Sequence, residues 1–279
     1  MSEATHNQTL NSNREIHTLL LKNGDYQRSP HFRQENQDKV RNIIMALIKN
    51  GAGTKRLIDF GCGTGFIINL TKDLFDEVHG VDITQEMMDE VDISNGNITL
   101  TNSIAEATPY PDNSFTFATA YSFMDHLANY EIFLEEVYRV LASNGVFYTD
   151  LNPNRMFIQA LERAEKKDIT HNSIITREIQ AGLHNGSHYE KKFGIDPELL
   201  AKAEPIKTYK KGFLESEVRH IATKIGFKEC HIEYEWYINQ GSIFHNNSPE
   251  EAEKINQYLT SLLPMSSSLY KYLRIILVK

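Results

Sequence analysis

The sequence predicts an α/β protein whose core is a doubly wound, mostly parallel sheet. Three observations lead to this prediction. Short apolar runs, of which Arg56–Phe60 is the first, alternate with amphipathic helical patterns along most of the chain. A glycine-rich turn follows the first run, and an Asn-Gly pair or a glycine ends several of the helical patterns. Strands that alternate with helices at this spacing form parallel sheets covered on both faces.

The elements can be justified in chain order. A helix is predicted over Phe32–Asn50, because Val40, Ile44 and Leu47 lie on one helical face. Short runs of apolar residues then predict seven strands, at Arg56–Phe60, Val78–Ile83, Ile98–Thr101, Phe115–Tyr121, Val146–Leu151, Lys228–Tyr237 and Tyr270–Val278. Helical patterns lie between them, at Thr64–Phe75, Met87–Val91, Tyr130–Leu141, Phe213–Ile225 and Pro249–Leu263.

The regular alternation stops between Asn152 and Gly212. A helical stretch, Met156–Lys166, is followed there by alternating segments around His184-Asn185-Gly186-Ser187, and Asn-Gly in such a setting indicates a hairpin. We therefore predict an α+β lid inserted between strands 5 and 6. The expected organisation is a flexible N-terminal arm at 1–31, a ligand-binding core at 32–151, the lid at 152–212 and the rest of the core sheet at 213–279.

Composition limits the classes of function. The chain has 279 residues and a net charge of -8, which opposes binding to a phosphate backbone, so no nucleic-acid partner is expected. No apolar run approaches the ~18 residues of a membrane-spanning helix, and the first residues are polar; we expect a cytoplasmic protein without a signal peptide. Cys62 and Cys230 lack metal-ligand spacing, and a turn separates His184 from His188, so no metal is expected.

The strongest local signal for a ligand site is a strand that ends in three alternating glycines. The apolar run Leu57–Phe60 leads directly into Gly61, Gly63 and Gly65. Glycines permit a tight turn and let a flat cofactor approach the backbone at the carboxyl edge of a sheet. Phe66 occupies the position of the third glycine in the dinucleotide-binding fingerprint, so the turn departs from that pattern.

A carboxylate follows at the end of the next strand. Asp82 closes the run that begins at Val78, and its two oxygens can accept hydrogen bonds from both hydroxyls of a ribose. This position suits a nucleoside-containing methyl donor and a dinucleotide equally well. Asp82 therefore predicts a ribose without selecting the reaction.

Three further segments resemble the class I, Rossmann-like, seven-stranded S-adenosylmethionine-dependent methyltransferases that act on small molecules. Ala107–Phe115, with its Pro-Tyr-Pro-Asp-Asn-Ser sequence, resembles the loop before their fourth strand. Tyr121–Leu127 resembles the end of that strand and the loop after it, and Glu136–Val146 resembles the next helix and the start of the fifth strand. The resemblance covers 44–152 and 213–237, and leaves out the arm and the lid.

The resemblance implies S-adenosylmethionine as cofactor and assigns its contacts. Asp59, Gly61, Gly63 and Gly65 would hold the methionine end, and Asp82 would hold the ribose. Ile83 and Met87 would flank the adenine ring, and Ala105 and Glu106 would contact its edge. Tyr121 and Ser122 would line the cofactor side of the site. Ile104 stands where the family usually has an acidic residue, so adenine recognition falls either to the backbone of Ala105 or to Glu106. Tyr26 of the arm and Phe32, directly after it, are expected to close over the cofactor.

The expected reaction is methyl transfer to a nitrogen or oxygen of a small molecule. His126, with Asp125 beside it, is the first candidate for the general base, because the loop after the fourth strand faces the methyl group in this family. Asp150 and Asn152 are the second candidates, and a structural role for His126 is an equal alternative.

The acceptor and the competing functions stay open at this stage. A weak resemblance of the predicted lid hairpin to the cap of amino-sugar N-methyltransferases suggests a sugar or another polar metabolite. The alternatives are a nicotinamide-dependent oxidoreductase, which Phe66 and the Pro109–Phe115 loop disfavour, and a non-catalytic S-adenosylmethionine-binding protein, which Ile104 motivates. The sequence does not fix an oligomeric state.

Overall fold

The structure is a computed structural model of the chain and describes residues 3–24, 32–48, 54–167, 172–246 and 248–279. Seven strands form one sheet in the order β3-β2-β1-β4-β5-β7-β6. Their bounds are Arg56–Phe60 (β1), Glu77–Asp82 (β2), Ile98–Asn102 (β3), Phe115–Tyr121 (β4), Leu141–Pro153 (β5), Glu229–Tyr237 (β6) and Tyr270–Val278 (β7). The first five strands pair in parallel, and β7 runs antiparallel to both β5 and β6. The predicted doubly wound, mostly parallel sheet is confirmed.

Helices cover both faces of this sheet. Those before and within the core are α1 (Glu3–Lys22), α2 (Gln34–Leu47), α3 (Phe66–Thr71), α4 (Gln85–Met88) and α5 (Tyr130–Val140). Those that follow β5 are α6 (Arg155–Glu165), α7 (Ser173–Leu183), α8 (Asn185–Phe193), α9 (Pro197–Ala203), α10 (Pro205–Thr208), α11 (Glu215–Ile225), α12 (Gln240–Asn246) and α13 (Pro249–Ser261). Apolar side chains of α5 and α11 pack on one face of the sheet, and those of α2 and α3 pack on the other.

Between β5 and β6, every element in the described residues is a helix, so the prediction of an α+β lid with a hairpin was wrong. Asn185 and Gly186 start α8 directly after α7 ends, and together they turn the chain between two helices. A side chain on Gly186 would place its Cβ 3.1 Å from Pro197 Cβ, so the small residue allows the start of α9 to approach. Asn-Gly therefore makes a helix corner here, a use that local sequence does not separate from a hairpin turn.

The first residues form a helix, which corrects the prediction of a flexible arm. Ile16 and Leu20 of α1 lie in a buried cluster with Ile195, Leu200 and Ala203 of the lid segment. The buried face of α1 also carries polar side chains, among them Thr9, Ser12 and Asn13. This mixed face lacks the apolar stripe by which an amphipathic helix is found. No helix in the described part of the chain is long and apolar enough to cross a membrane.

Candidate active site

A cavity of about 300 Å³ lies at the carboxyl ends of β1, β2 and β4. Helix α1 and the lid segment from Tyr189 to Glu204 form its other walls. The lining residues that the sequence had predicted for a site are Gly61, Gly63, Asp82, Ile83, Met87, Ala105, Glu106, Tyr121, Ser122, His126 and Phe32. The carboxyl edge of a parallel sheet is where such folds bind ligands, so the cavity has the expected position.

The glycine turn forms the floor of this cavity with its backbone. Gly61 and Gly63 have φ angles of 67° and 52°, which are conformations that favour glycine. A Cβ on Gly61 would lie 2.1 Å from a ring carbon of Phe123, so no other residue fits at this position without displacing that ring. Gly65 also has a positive φ of 84° and precedes α3, but it does not line the cavity.

Asp82 presents its carboxylate to the cavity and also fixes the turn. One oxygen accepts a hydrogen bond from the Gly63 amide at 2.9 Å, and the other accepts one from the Thr84 amide at 2.8 Å. Each carboxylate oxygen can accept more than one hydrogen bond, so two hydroxyls of a ligand can still be bound. Burial raises the pKa of Asp82, against hydrogen bonds that lower it.

Asp59 lies behind the cavity wall, where the sequence had predicted a contact with the methionine end. Its side chain is buried and accepts a hydrogen bond of 2.7 Å from the hydroxyl of Thr119 on β4. Burial and the neighbouring Asp82 raise its pKa to about 7, although the hydrogen bond from Thr119 opposes the shift. Asp59 therefore links β1 to β4 beneath the site and does not line the cavity.

One end of the cavity carries the residues predicted around adenine. Ile83, Met87 and Ala105 supply apolar surface, and Glu106 supplies a carboxylate. Glu106 Oε2 is buried and has no hydrogen-bond partner in the described part of the chain. Buried polar atoms are normally paired, so this oxygen is available to a ligand donor. Ile104 does not line the cavity, and of the two alternatives the geometry favours Glu106.

Aromatic rings form the wall beside the glycine turn. Phe66 packs on Tyr121 with ring centroids 4.8 Å apart, and Phe32 meets Phe66 edge-on at 5.4 Å. All three rings line the cavity. Phe66 therefore faces the ligand space, whereas the third glycine of a dinucleotide site serves helix–strand packing. Tyr26, the other aromatic residue predicted to close over the cofactor, lies outside the described residues.

His126 follows β4, which lies across β1 from the strands that carry Asp82 and precede Glu106, and its ring is held by α1. Asn13 Nδ2 donates to the carbonyls of Thr9 and His126, so its Oδ1 must be the acceptor that lies 2.9 Å from His126 Nδ1. Nδ1 also lies 3.1 Å from the Ala203 carbonyl. Because both partners are acceptors, the neutral ring carries its proton on Nδ1 and keeps a basic lone pair on Nε2.

The other predicted catalytic residues do not line the cavity. Asp150 accepts hydrogen bonds from Arg274 Nε and from the Tyr148 hydroxyl, each at 2.9 Å, so its carboxylate is engaged in a buried ion pair. Asn152 donates to the carbonyl of Leu273 on the neighbouring strand. Both residues are buried where β5 pairs with β7, and neither faces the cavity.

Asp125 is also buried, and it belongs to a group of charges behind His126. Burial raises its pKa, while His126 and Lys207 act to lower it. It is absent from the residues that line the cavity. Asp125 is thus placed to influence its neighbour His126 without touching a ligand.

The sequence reasoning missed three polar residues of the site, which are Asn13, His17 and Glu204. The His17 ring lies 5.0 Å from that of His126, and burial together with His126 lowers its pKa to about 3. Glu204 lies between α9 and α10 and is paired with Lys207 at 2.7 Å. All three come from α1 or the lid segment, where the sequence contains no motif that would reveal them.

Comparison with known proteins points to one family. The methyltransferase domain family matches residues 58–149. A probable S-adenosylmethionine-dependent methyltransferase from Mycolicibacterium smegmatis is 26% identical over 153 residues, or 54% of this chain and 57% of that protein. A demethylmenaquinone methyltransferase from Staphylococcus aureus is 33% identical over 128 residues, or 43% of this chain and 53% of that protein. The match thus spans about half the length of these curated relatives.

Solved structures agree with the fold. A SAM-dependent methyltransferase from Archaeoglobus fulgidus superposes with a TM-score of 0.53 at 19% identity, covering 87% of this chain and 94% of its own. An S-adenosylmethionine-dependent methyltransferase from Mesorhizobium loti gives a TM-score of 0.54 at 15% identity, covering 85% and 96%. Residues 58–149 are thus similar to methyltransferase domains, and the sheet with its glycine turn has the fold of the class I, Rossmann-like S-adenosylmethionine-dependent methyltransferases.

Proposed function

We propose that this chain transfers a methyl group from S-adenosylmethionine to a nitrogen or oxygen of a small molecule. The observation that carries the proposal is a single cavity with two chemically different ends. The carboxylates of Asp82 and Glu106, the latter with an unpaired oxygen, come from the ends of β2 and β3, whereas His126, held by Asn13, follows β4 on the far side of β1.

The residues at the first end fit the donor. The two oxygens of Asp82 can accept from the ribose hydroxyls, and Glu106 Oε2 can accept from the exocyclic amine of adenine. Ile83 and Met87 would flank the adenine ring, and the backbone of Gly61 and Gly63 would contact the methionine portion. When bound, S-adenosylmethionine supplies a methyl group that its positive sulfur makes electrophilic.

His126 is the proposed general base at the second end. The acceptor nitrogen or oxygen would form a bond to the methyl carbon as the carbon–sulfur bond breaks, and its proton would pass to Nε2. Asn13 would hold the ring in the tautomer that leaves Nε2 free. Helix α1 and the lid segment cover the cavity, so they would exclude water and align the acceptor with the methyl group.

The narrower acceptor class and the alternatives gain no support. The suggestion of a sugar rested on a lid hairpin, and the lid segment is helical instead. A nicotinamide-dependent oxidoreductase would need the glycine turn of a dinucleotide site. Here Phe66 replaces the third glycine of that turn and faces the cavity. A protein that binds the donor without catalysis would not require the Asn13–His126 pair.

Calorimetric titration tests the donor site directly. The protein would be titrated with S-adenosylmethionine, S-adenosylhomocysteine and NAD, in the wild type and in Asp82→Ala. Loss of a bidentate carboxylate–diol contact should weaken binding of the first two about 100-fold. Asp92→Ala is the matched control, because that carboxylate is an exposed partner of Lys72 at 3.1 Å and lies away from the cavity. Binding of NAD alone would refute the proposal.

A further inference from the structure

We propose that the methyl acceptor is a small amine that arrives as its ammonium ion, and that Glu204 of the lid segment recognises its positive charge. This inference rests on the proposed function and identifies the acceptor class for the same cavity. It follows from the charges that line the cavity, from the partners of Glu204, and from the position of His126 beside it.

The cavity wall is acidic. Three carboxylates line it, those of Asp82, Glu106 and Glu204, and no lysine or arginine side chain lines it among the residues that the structure describes. Asp82 and Glu106 belong to the donor end, which leaves Glu204 at the acceptor end. A phosphate or carboxylate acceptor would meet no cation in this wall, so an anionic acceptor is disfavoured.

Glu204 is held as a carboxylate. Its side chain is only 15% exposed, and Lys207 Nζ lies 2.7 Å from Oε2. Burial by itself would raise the pKa of Glu204, but the nearby charge of Lys207 and its hydrogen bond, with His126, outweigh it and lower the pKa. Lys207 does not line the cavity, so the ligand space is faced by the carboxylate, with the lysine behind it.

The positive charge near Glu204 does not face the ligand space. Lys207 pairs with Glu204 and interacts with Asp125 from outside the cavity lining. His17 stays uncharged at neutral pH, because burial and His126 lower its pKa to about 3. A buried site with more carboxylates than cations favours a cationic ligand.

Aromatic rings and the base complete the site for an amine. Phe123 and Tyr189 line the same cavity, and faces of aromatic rings attract ammonium groups. An ammonium nitrogen has no lone pair, so it must first give one proton to His126 Nε2. The freed lone pair then bonds to the methyl carbon as the carbon–sulfur bond breaks, and the electron pair of that bond stays on sulfur. The product is a methylated ammonium ion, which Glu204 can still neutralise.

Matched probes test the inference on the complex with S-adenosylhomocysteine. Isopentylamine, isopentanol and isovalerate have similar shapes and differ in charge, and their affinities would be measured by calorimetry. We expect the amine to bind at least ~10-fold more tightly than the alcohol, and the acid to bind weakest. In Glu204→Gln the preference for the amine over the alcohol should fall about 10-fold, whereas Glu198→Gln should keep it. Glu198 belongs to α9 but is exposed and paired with Lys202 at 2.7 Å.

The outcomes separate this inference from the proposed function. Retained binding of S-adenosylhomocysteine by Glu204→Gln shows that the variant is folded. The preference of the wild type for the amine over the alcohol tests the acceptor class without any variant. Equal affinities for the three probes, a preference for isovalerate, or no binding of the amine in the millimolar range would overturn the amine assignment alone. Failure of the wild type to bind S-adenosylhomocysteine would overturn the proposed function, and the inference with it.

Discussion

The two ends of the cavity are built in different ways. The donor end comes from one stretch of sequence, from Gly61 to Glu106, and uses the backbone of the glycine turn and side chains at strand ends. The acceptor end brings His126 together with Asn13, which lies 113 residues earlier in the chain, and with Glu204, which lies well after it. A site made by local backbone geometry leaves a motif in the sequence, whereas a site made by distant side chains leaves none.

The two ends also differ in what holds them in place. The donor end rests on the main cores of the sheet, which include fully buried residues such as Ile58 and Phe60. The acceptor end depends on the small cluster that Ile16 and Leu20 of α1 form with the lid segment. Elements with few buried apolar contacts open at lower free energy than the global core. The acceptor end is therefore the part expected to open for ligand exchange.

Replacing the base gives the largest expected effect and separates the two ends most clearly. We expect His126→Ala to lower the rate of methyl transfer about 1,000-fold, within the range of a lost general base, while donor affinity changes little. A radiolabelled methyl-transfer assay and calorimetry measure the two quantities. His231→Ala is the control, because that histidine is exposed and pairs with Glu229. A variant with full activity would make His126 a structural residue.

The buried carboxylate under the donor end should control how stability varies with pH. Asp59 has a pKa of about 7 in the folded chain against an ordinary 3.8, so its stabilising contribution is present below pH 3.8 and lost as the pH rises through 7. Asp59→Asn should therefore gain stability relative to the wild type between pH 4 and pH 8, by up to ~4 kcal/mol.

Urea unfolding at the two pH values measures this difference. Asp73→Asn provides the comparison, since Asp73 is exposed and its pKa is lowered by Arg41. Parallel stability curves for Asp59→Asn and the wild type would show that Asp59 is ionised throughout.

The unpaired oxygen at the adenine edge predicts a smaller effect, confined to the donor. Glu106→Ala should weaken binding of S-adenosylhomocysteine about 10-fold, because one hydrogen bond to a buried charged group is lost. Inosine-containing donor, which lacks the exocyclic amine, should bind the wild type and the variant equally. If the variant binds S-adenosylhomocysteine as tightly as the wild type, the backbone of Ala105 reads the adenine edge instead.

The smallest expected effect tests the contact between α1 and the base. Asn13→Ala should lower the methyl-transfer rate about 10-fold, since the ring would lose one of the two acceptors that hold its Nδ1 proton. Asn13→Asp keeps an acceptor at this position and should recover part of the rate. A loss of donor affinity equal to the loss of rate would indicate a general displacement of α1.

The sheet and most of the donor end could be predicted because their signals are local. Each strand pattern and the glycine spacing can be read from a few consecutive residues. The position of Asp82 at a strand end can be read in the same way. Asp150 shows the limit of such reasoning. Its place at the end of β5 was predicted, but Arg274, which occupies its carboxylate, comes from a strand 124 residues later. Pairings over that separation depend on the register of β5 and β7, which local sequence does not encode.

The lid segment and α1 were mispredicted for two different physical reasons. Asn185-Gly186 satisfies a tight turn in a hairpin and a corner between helices equally well, and in the fold Gly186 lies where the start of α9 approaches it. In α1, Thr9 and Asn13 occupy positions that an amphipathic helix normally gives to apolar residues. Asn13 is buried because His126 and Thr9 provide it with partners, and only the folded chain brings His126 there.

The hydrogen bond between Asn13 and His126 links chemistry to enclosure. With α1 in place, the imidazole has its proton on the side away from the reacting groups, so it is ready to accept another. With α1 displaced, the ring would lose the Asn13 acceptor and exchange tautomers more freely in contact with water. Under the proposed function, His126 therefore has the tautomer that can accept a proton only when α1 also covers the donor. The amide side chain of Asn13 would thus couple the closing of α1 to the activation of the base, which would protect the methyl donor from hydrolysis.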